Sequence, residues 1–303
     1  MKRFVRSIIT AVCIAGAVQV LAVGVLAPRL PPVRGRPATV EEREFRLGAA
    51  PELRLHNHEG SVHVRTHDGD ETLVRAEVRA YIYGPGSASA ARAYAASVVR
   101  VQESAEAVDV ISEPAERPDG VDVEVDYDVF VPEGTDVVIE GGNGNVWVSK
   151  GCGQVSVRGR NADIEIVKPR GPVTVRSKNG RIRVLDAEAD TDIETVNGNI
   201  YAHMRRGALR AVTTNGAIVA HMYSADSPRF ELESQNGGLT LVMSEGCSGR
   251  VEARTGRGIV RSDFPVDMAD GVLRRRHLQG TIGAGHTAVS MHTLNGNIWL
   301  TKE

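Results

Sequence analysis

The feature that most constrains this chain is a spacing. Asn-Gly pairs stand at Asn143-Gly144, Asn179-Gly180, Asn197-Gly198, Asn215-Gly216, Asn236-Gly237 and Asn295-Gly296, each between runs in which apolar and polar residues alternate. Taken singly, each pair is a strong signal for a tight β-hairpin. They are not independent, however. Asn161 fills the gap between the first two, so five asparagines from 143 to 215 follow one another at intervals of 18, and Asn236 comes 21 later. A constant period near 20 residues marks a stacked repeat, not a row of hairpins.

The apolar positions repeat with the asparagines. Three residues after them lie Val146, Ile164, Ile182, Ile200, Ile218, Leu239 and Ile298; five after lie Val148, Ile166, Val184, Ala202, Ala220, Leu241 and Leu300. Four before lie Ile139, Val157, Val175, Ile193, Ala211 and Leu232, and two before come small residues such as Gly141, Ser177, Thr195 and Thr213. Inward positions are therefore even-numbered before the asparagine and odd-numbered after it. Period-two alternation defines strands, and the change of parity means that the chain turns a corner at Asn-Gly. Like positions recur every 18 residues, which places like upon like in successive coils. The spacing predicts an all-β chain, a right-handed parallel β-helix with coils of about 18 residues. Glycine at the corner tolerates the positive φ that the bend demands, and stacked asparagines can form amide ladders. Ala162 breaks the rule, so its corner is expected to be different or strained. Thr255-Gly256-Arg257-Gly258-Ile259 reads as a degenerate copy, and Asn295 as the closing one.

A solenoid needs its first coil covered. Residues 38–133 lack the strict period and read as a β-rich N-terminal cap, with one short helix near 87–100 and a loosened first repeat at His56–Val64. The repeats then occupy 134–303, with a projecting loop near 262–280. Residues 1–27 carry Lys2, Arg3 and Arg6 ahead of an apolar run, the pattern of a signal peptide or an N-terminal membrane anchor, and 28–37 form a Pro-rich linker. Cys13 follows the β-branched Val12 too early in the run to be a lipidation site. Removing the first 27 residues shifts the balance from −2 to 33 basic against 38 acidic residues. Nothing in this balance invites nucleic acid, and a membrane is expected only through the N-terminal segment.

The run VDYDVFVPEGTDVVIEGGNGNVWV, the repeated Asn-Gly-x-Ile corners and the late GTIGAGHTAVSMHTLNGNIWL resemble the DUF4097 family over roughly residues 40–303. These are bacterial β-strand-repeat proteins often labelled as candidate adhesins. The resemblance implies an exported β-helix domain in the cell envelope and supplies no catalytic motif.

Few residues carry candidate chemistry. Trp147, Tyr201 and Trp299 all stand four after an asparagine, at outward positions, and are candidate ligand-binding rings. His203 and His221 are 18 apart and should sit one above the other as two donors for a transition metal. No third ligand is in register, since Leu185 and Val242 flank them, and a plain surface pair is the simpler expectation. His56, His58, His63 and His67 make a second cluster of loop or strand-surface character. Asp163 alone does not supply the recurring aspartate of calcium-binding repeats, and Arg274-Arg275-Arg276-His277 reads as a solvated basic run. Cys152 and Cys247, about five coils apart, are too distant for a disulfide. Asp126 with Asp128 and Asp190 with Asp192 are paired carboxylates without a supporting histidine or arginine in register.

The sequence therefore reads as a non-catalytic exported envelope protein, a structural or adhesin-like interaction module needing no cofactor. A carbohydrate-binding β-helix is the alternative, and a polysaccharide-degrading enzyme ranks third. The partner expected is an envelope protein or a glycan, with end-to-end self-association at a weakly capped C-terminal coil as a further possibility.

Overall fold

The computed structural model describes residues 37–83, 85–112, 117–224, 227–268 and 274–303. The leader or anchor expected over 1–27, and the linker up to residue 36, lie outside the described residues. What is described is one helix, Ala88–Val98, and two long sheets, of 12 and 13 strands. Each coil contributes one strand to each sheet. In the coil of Asn179, for example, Val173–Asn179 lies in one sheet and Ile182–Ala187 in the other. We call the sheet built from strands before the corner the front-entry sheet, and that built from strands after it the exit sheet.

Neighbouring coils pair in parallel and in the register that the period requires. Val157 lies beside Val175, Ile193 beside Ala211, Ile182 beside Ile200, and Ala202 beside Ala220. The fold is a parallel β-helix. Its core is the slab of inward residues from both sheets; Ile139, Ile164, Ile182 and Ile193 are at most 1% exposed. Each such side chain contributes about 1.5–3 kcal/mol by burial, and truncating Ile193 to Ala would cost about 2–5 kcal/mol.

The corners show why the small polar residues are where they are. Thr213 donates to the carbonyl of Gly198 at 3.1 Å, Ser234 to that of Gly216 at 3.0 Å and Thr293 to that of Gly237 at 2.9 Å. A hydroxyl two residues before the asparagine thus satisfies a corner carbonyl of the neighbouring coil, which a larger apolar residue would leave unpaired. Outside the bend the asparagines form the amide ladder, with Asn161 donating to Asn143 and each next coil to the one before. The corner does not generally demand a positive φ: Gly144 (132°) and Gly180 (118°) have one, but Gly198, Gly216, Gly237 and Gly296 are not among the positive-φ glycines, and what excludes a side chain there is the carbonyl of the neighbouring coil. Ala162 departs from the expectation of strain. It is buried and is not among the non-glycine residues with positive φ, which are Lys168 (48°) and Asp186 (56°). A Cβ on Gly159 would stand 3.1 Å from the Ala162 Cβ, so the alanine methyl occupies the room that glycine leaves.

The order of the coils corrects the sequence reading. Among the described residues ten coils stack, and the six from Asn143 to Asn236 follow chain order. At one end the Glu52–Glu59/Val62–His67 coil is inserted between Ala107–Ser112/Val121–Pro132 and Asp136–Asn143/Val146–Val148. At the other, the Thr287–Asn295/Ile298–Lys302 coil is inserted between the Asn236 coil and Gly249–Arg257/Val260–Ser262. The coil of Asn295 is internal, not terminal. The reason is chemical: the inserted coil carries Asn295, which extends the ladder, whereas the end coil has Arg257 at that position. The loosened repeat likewise presents Glu59 opposite Asn143. Coils with the ladder residue are contiguous, and those without it flank them.

Beyond the coils, Thr39–Gly48 and Glu71–Ile82 pair antiparallel and continue the exit sheet, and the helix packs over them. Arg100–Glu103 ends the front-entry sheet there. In the stretch 262–280, read as a projecting loop, Asp267–Met268 and His277–Ile282 pair antiparallel and lie against Gly249–Arg257. The strands that end the sheets are short or charged, which disfavours edge pairing.

Candidate functional site

The two outer faces of the solenoid differ sharply. On the front-entry sheet the outward side chains are mostly charged and paired with one another. Arg176 and Arg210 both reach Asp192 and Glu194, and Arg158 lies 3.7 Å from Glu140. Burial raises the Asp192 carboxyl, but hydrogen bonds from Arg176 and Arg210 outweigh it and hold the group below the usual carboxylate range. Asp190 accepts from the Ala208 amide at 2.9 Å. Against the expectation of no histidine or arginine in register, Arg210 lies directly beside Asp192 at 3.1 Å and His63 beside Asp128, and the carboxylates of Asp190 and Asp192 are held by bonds of the fold.

Aromatic rings gather on the exit sheet. Register places Trp147, Glu165, Arg183, Tyr201, Val219, Thr240, Trp299 and Arg261 in one outward row along the solenoid axis. Both tryptophans of the chain are in it. Each of the three rings carries a guanidinium: Arg65 stands 5.9 Å from the Trp147 ring centre, Arg183 5.9 Å from Tyr201 and Arg261 5.3 Å from Trp299. Beside Trp147 the surface is widened by Phe130, under Arg65 and Arg75, and by His63, edge-on at 6.3 Å. A concavity of about 550 Å³ adjoins this end, lined by His63, Arg75, Asp126 and Asp128 among others.

At the centre the rings make a cluster of four. His203 and His221 sit one above the other with centroids 4.3 Å apart, flanked by Tyr201 and by Tyr223, which stacks on His221 at 6.0 Å and 22°. The Tyr201 hydroxyl is 2.6 Å from Nε2 of His203, and Nδ1 of His221 is buried without a partner. Burial lowers both imidazoles, and for His221 the neighbouring His203 lowers it further. Both are thus neutral near pH 7, with lone pairs available to a metal or a hydroxyl donor. Among the described residues no group of three His, Cys, Asp or Glu converges to hold a metal ion, so the pair supplies two nitrogens.

The other predicted residues separate. His56 pairs with Glu140 on the front-entry face at 3.3 Å, His63 faces the exit side, and His67 bonds the Glu71 carbonyl at 2.8 Å. Asp126 is tied to Arg79 at 2.6 Å and to the Ser61 amide, and Asp128 to Arg65 at 3.4 Å. Cys152 and Cys247 are free and buried. The asparagines and glycines of the corners are structural: they form the ladder and the bend, and carry no ligand chemistry. Tyr223, Phe130 and Arg65 are the members that sequence reasoning missed. Tyr223 lies just past its strand, and its signal was its place two residues beyond His221, on the same outward face by alternation. Phe130 and Arg65 come from coils outside the period.

No protein-family model matches the sequence, and no curated protein matches it. Among solved structures, a candidate adhesin of Bacteroides fragilis is similar over 86% of this chain and 97% of that one, with 10% identity and a TM-score of 0.51. A candidate adhesin of Parabacteroides distasonis (9% identity over 86% and 97% of the two chains) and a candidate cell-adhesion protein of Clostridium sporogenes (11% over 88% and 100%) give lower TM-scores, 0.45 and 0.23. The first of these likenesses is one of fold.

Proposed function

We propose that the chain is a non-catalytic, adhesin-like interaction module of a bacterial cell envelope, of the DUF4097 type, exported by its N-terminal segment and held there or released by cleavage. The observation that carries this reading is the asymmetry of the two outer faces. One is a self-paired charged surface; the other collects both tryptophans, a tyrosine–histidine cluster and arginine-capped rings. Contact residues on a rigid sheet, with rings as anchors, are what recognition surfaces use. The name of the Bacteroides fragilis neighbour is in keeping with it. A carbohydrate-binding β-helix is the second reading, favoured by the rings of Trp147 and Tyr201, and a polysaccharide-degrading enzyme is the weakest, because the carboxylates near the face are tied to arginines.

Retention of the full chain on envelope preparations tests the proposal. Replacing Tyr201 and Trp299 by Ala should abolish retention, whereas replacing Arg176 and Arg210 by Gln on the opposite face should not. Equal loss from both faces would overturn it.

A further inference from the structure

The three ring–arginine pairs are not scattered. Two coils separate Trp147 from Tyr201 (those of Glu165 and Arg183) and two separate Tyr201 from Trp299 (those of Val219 and Thr240). At about 4.8 Å per coil, the rings stand roughly 14 Å apart, and the row spans about 29 Å. Each station has similar chemistry: a half-exposed ring of the row with a guanidinium over it, Arg183 and Arg261 from the row itself and Arg65 from the strand beside Trp147, two residues beyond His63. The guanidiniums keep donors in hand. Among the described residues Arg65 has one carboxylate partner, Asp128 at 3.4 Å, Arg183 has one, Glu165 at 3.0 Å, and Arg261 has none, while each guanidinium has five N–H groups.

We propose that this row binds a linear, carboxylate-bearing polysaccharide lying along the solenoid axis and held at the three stations. This rests on the reading of the chain as an interaction module and specifies its ligand. A pyranose turns a flat C–H face to an aromatic ring, and a uronate carboxylate at the edge of that sugar meets the guanidinium in a charge-assisted hydrogen bond. A neutral glycan would use the rings and leave the arginines idle. Glu165, between the first two stations, repels a carboxylate placed over it, so binding is confined to the stations instead of running continuously along the row. Because the ligand is a polymer and the stations are fixed on one rigid sheet, engagement of the second and third is intramolecular.

Titration calorimetry of the full chain with polygalacturonate oligomers of increasing length tests this, with β-1,4-glucan oligomers of the same lengths as the neutral comparison. Affinity should rise on the order of a hundredfold between an oligomer that reaches one station and one that spans three. Trp147→Ala, Tyr201→Ala and Trp299→Ala should each weaken the long oligomer about tenfold, and Arg261→Gln should do the same while flattening the salt dependence. Glu165→Gln should strengthen binding several-fold, and being an isosteric surface change it keeps the test open should a ring variant fold poorly. Equal binding of the neutral oligomers, a length-independent affinity, or no binding at all overturns the proposal. If the chain instead takes an envelope protein through the same rings and no polygalacturonate, the interaction-module reading stands and this one falls.

Discussion

Asn295 donates its side-chain amide to Asn236 at 2.8 Å although 59 positions separate them in sequence, and the bond matches that from Asn215 to Asn197, at 2.7 Å and 18 positions. The ladder follows space and ignores chain order. Its links are exposed amide–amide bonds, each worth about 1 kcal/mol. Asn197 both donates to Asn179 and accepts from Asn215. Asn197→Ala should therefore lower unfolding stability by about 1–2 kcal/mol in urea titrations, and Asn295→Ala by about 1 kcal/mol. Equal stability of Asn197→Ala and the parent would mean that the ladder is ornamental.

Glycines at the corners and at the turns between strands should divide into two classes. A Cβ on Gly198 would lie 1.9 Å from the carbonyl oxygen of Gly180, which is backbone and cannot step aside. Gly198→Ala should cost more than about 3 kcal/mol or prevent folding. Gly134 has φ of +85° with nothing within 4 Å of a Cβ, so Gly134→Ala should cost only the left-handed backbone penalty of about 1–2 kcal/mol. Thermal melting of the two variants distinguishes them.

The histidine pair gives stability a pH dependence. Burial disfavours the charged form of His203 and His221, so their pKa values in the fold lie below the ordinary 6.5. The unfolded chain then binds protons more readily, and this contribution is complete above about pH 6.5 and is lost as pH falls below it toward the folded values. Chemical denaturation at pH 7.5 and 5.5 should show a drop that is smaller in the His203→Gln, His221→Gln double variant. An unchanged drop would assign the effect elsewhere.

Burial also pushes the Cys152 thiol up to about 12 and raises Cys247. Both should resist a thiol reagent in the native protein and react fully in denaturant, with no reductant needed. Rapid native labelling of Cys152 would contradict its burial.

Deleting the terminal repeat of a solenoid removes one nearest-neighbour interface. Here, ending the chain before Thr287 removes a coil with partners on both sides, Arg229–Asn236 and Gly249–Arg257. Such a truncation should make residues 249–282 sensitive to protease while the coils from Asn143 to Asn215 stay protected.

Strands, corners, inward residues and the parallel stack were legible because 18-residue spacing writes each of them at a fixed offset from asparagine. Coil order was not. In a parallel stack every coil presents the same edge, so the period allows any coil to sit on any other, and only the amide ladder selects among them. Arg257 in place of asparagine is visible as a degenerate copy, but its place at the end of the stack shows only in the pairing, where it lies beside Asn295 and carries no amide to extend the ladder. The outward parity of Trp147, Tyr201 and Trp299 was legible too. Their arginines were less so: Arg183 is a neighbour by period, but Arg65 and Arg261 reach the row through the displaced end coils.

Those displaced coils have a consequence for the order in which the chain can fold during synthesis. Residues 249–262 emerge before their partner exists, since the edge that they dock on belongs to Thr287–Lys302. They must wait, and the same holds at the other end, where 52–67 wait for 107–148. Growth of the stack along the emerging chain is thus a relay that runs straight only through the middle, and its last step is the docking of the waiting Gly249–Ser262 coil onto the newly added Thr287–Lys302.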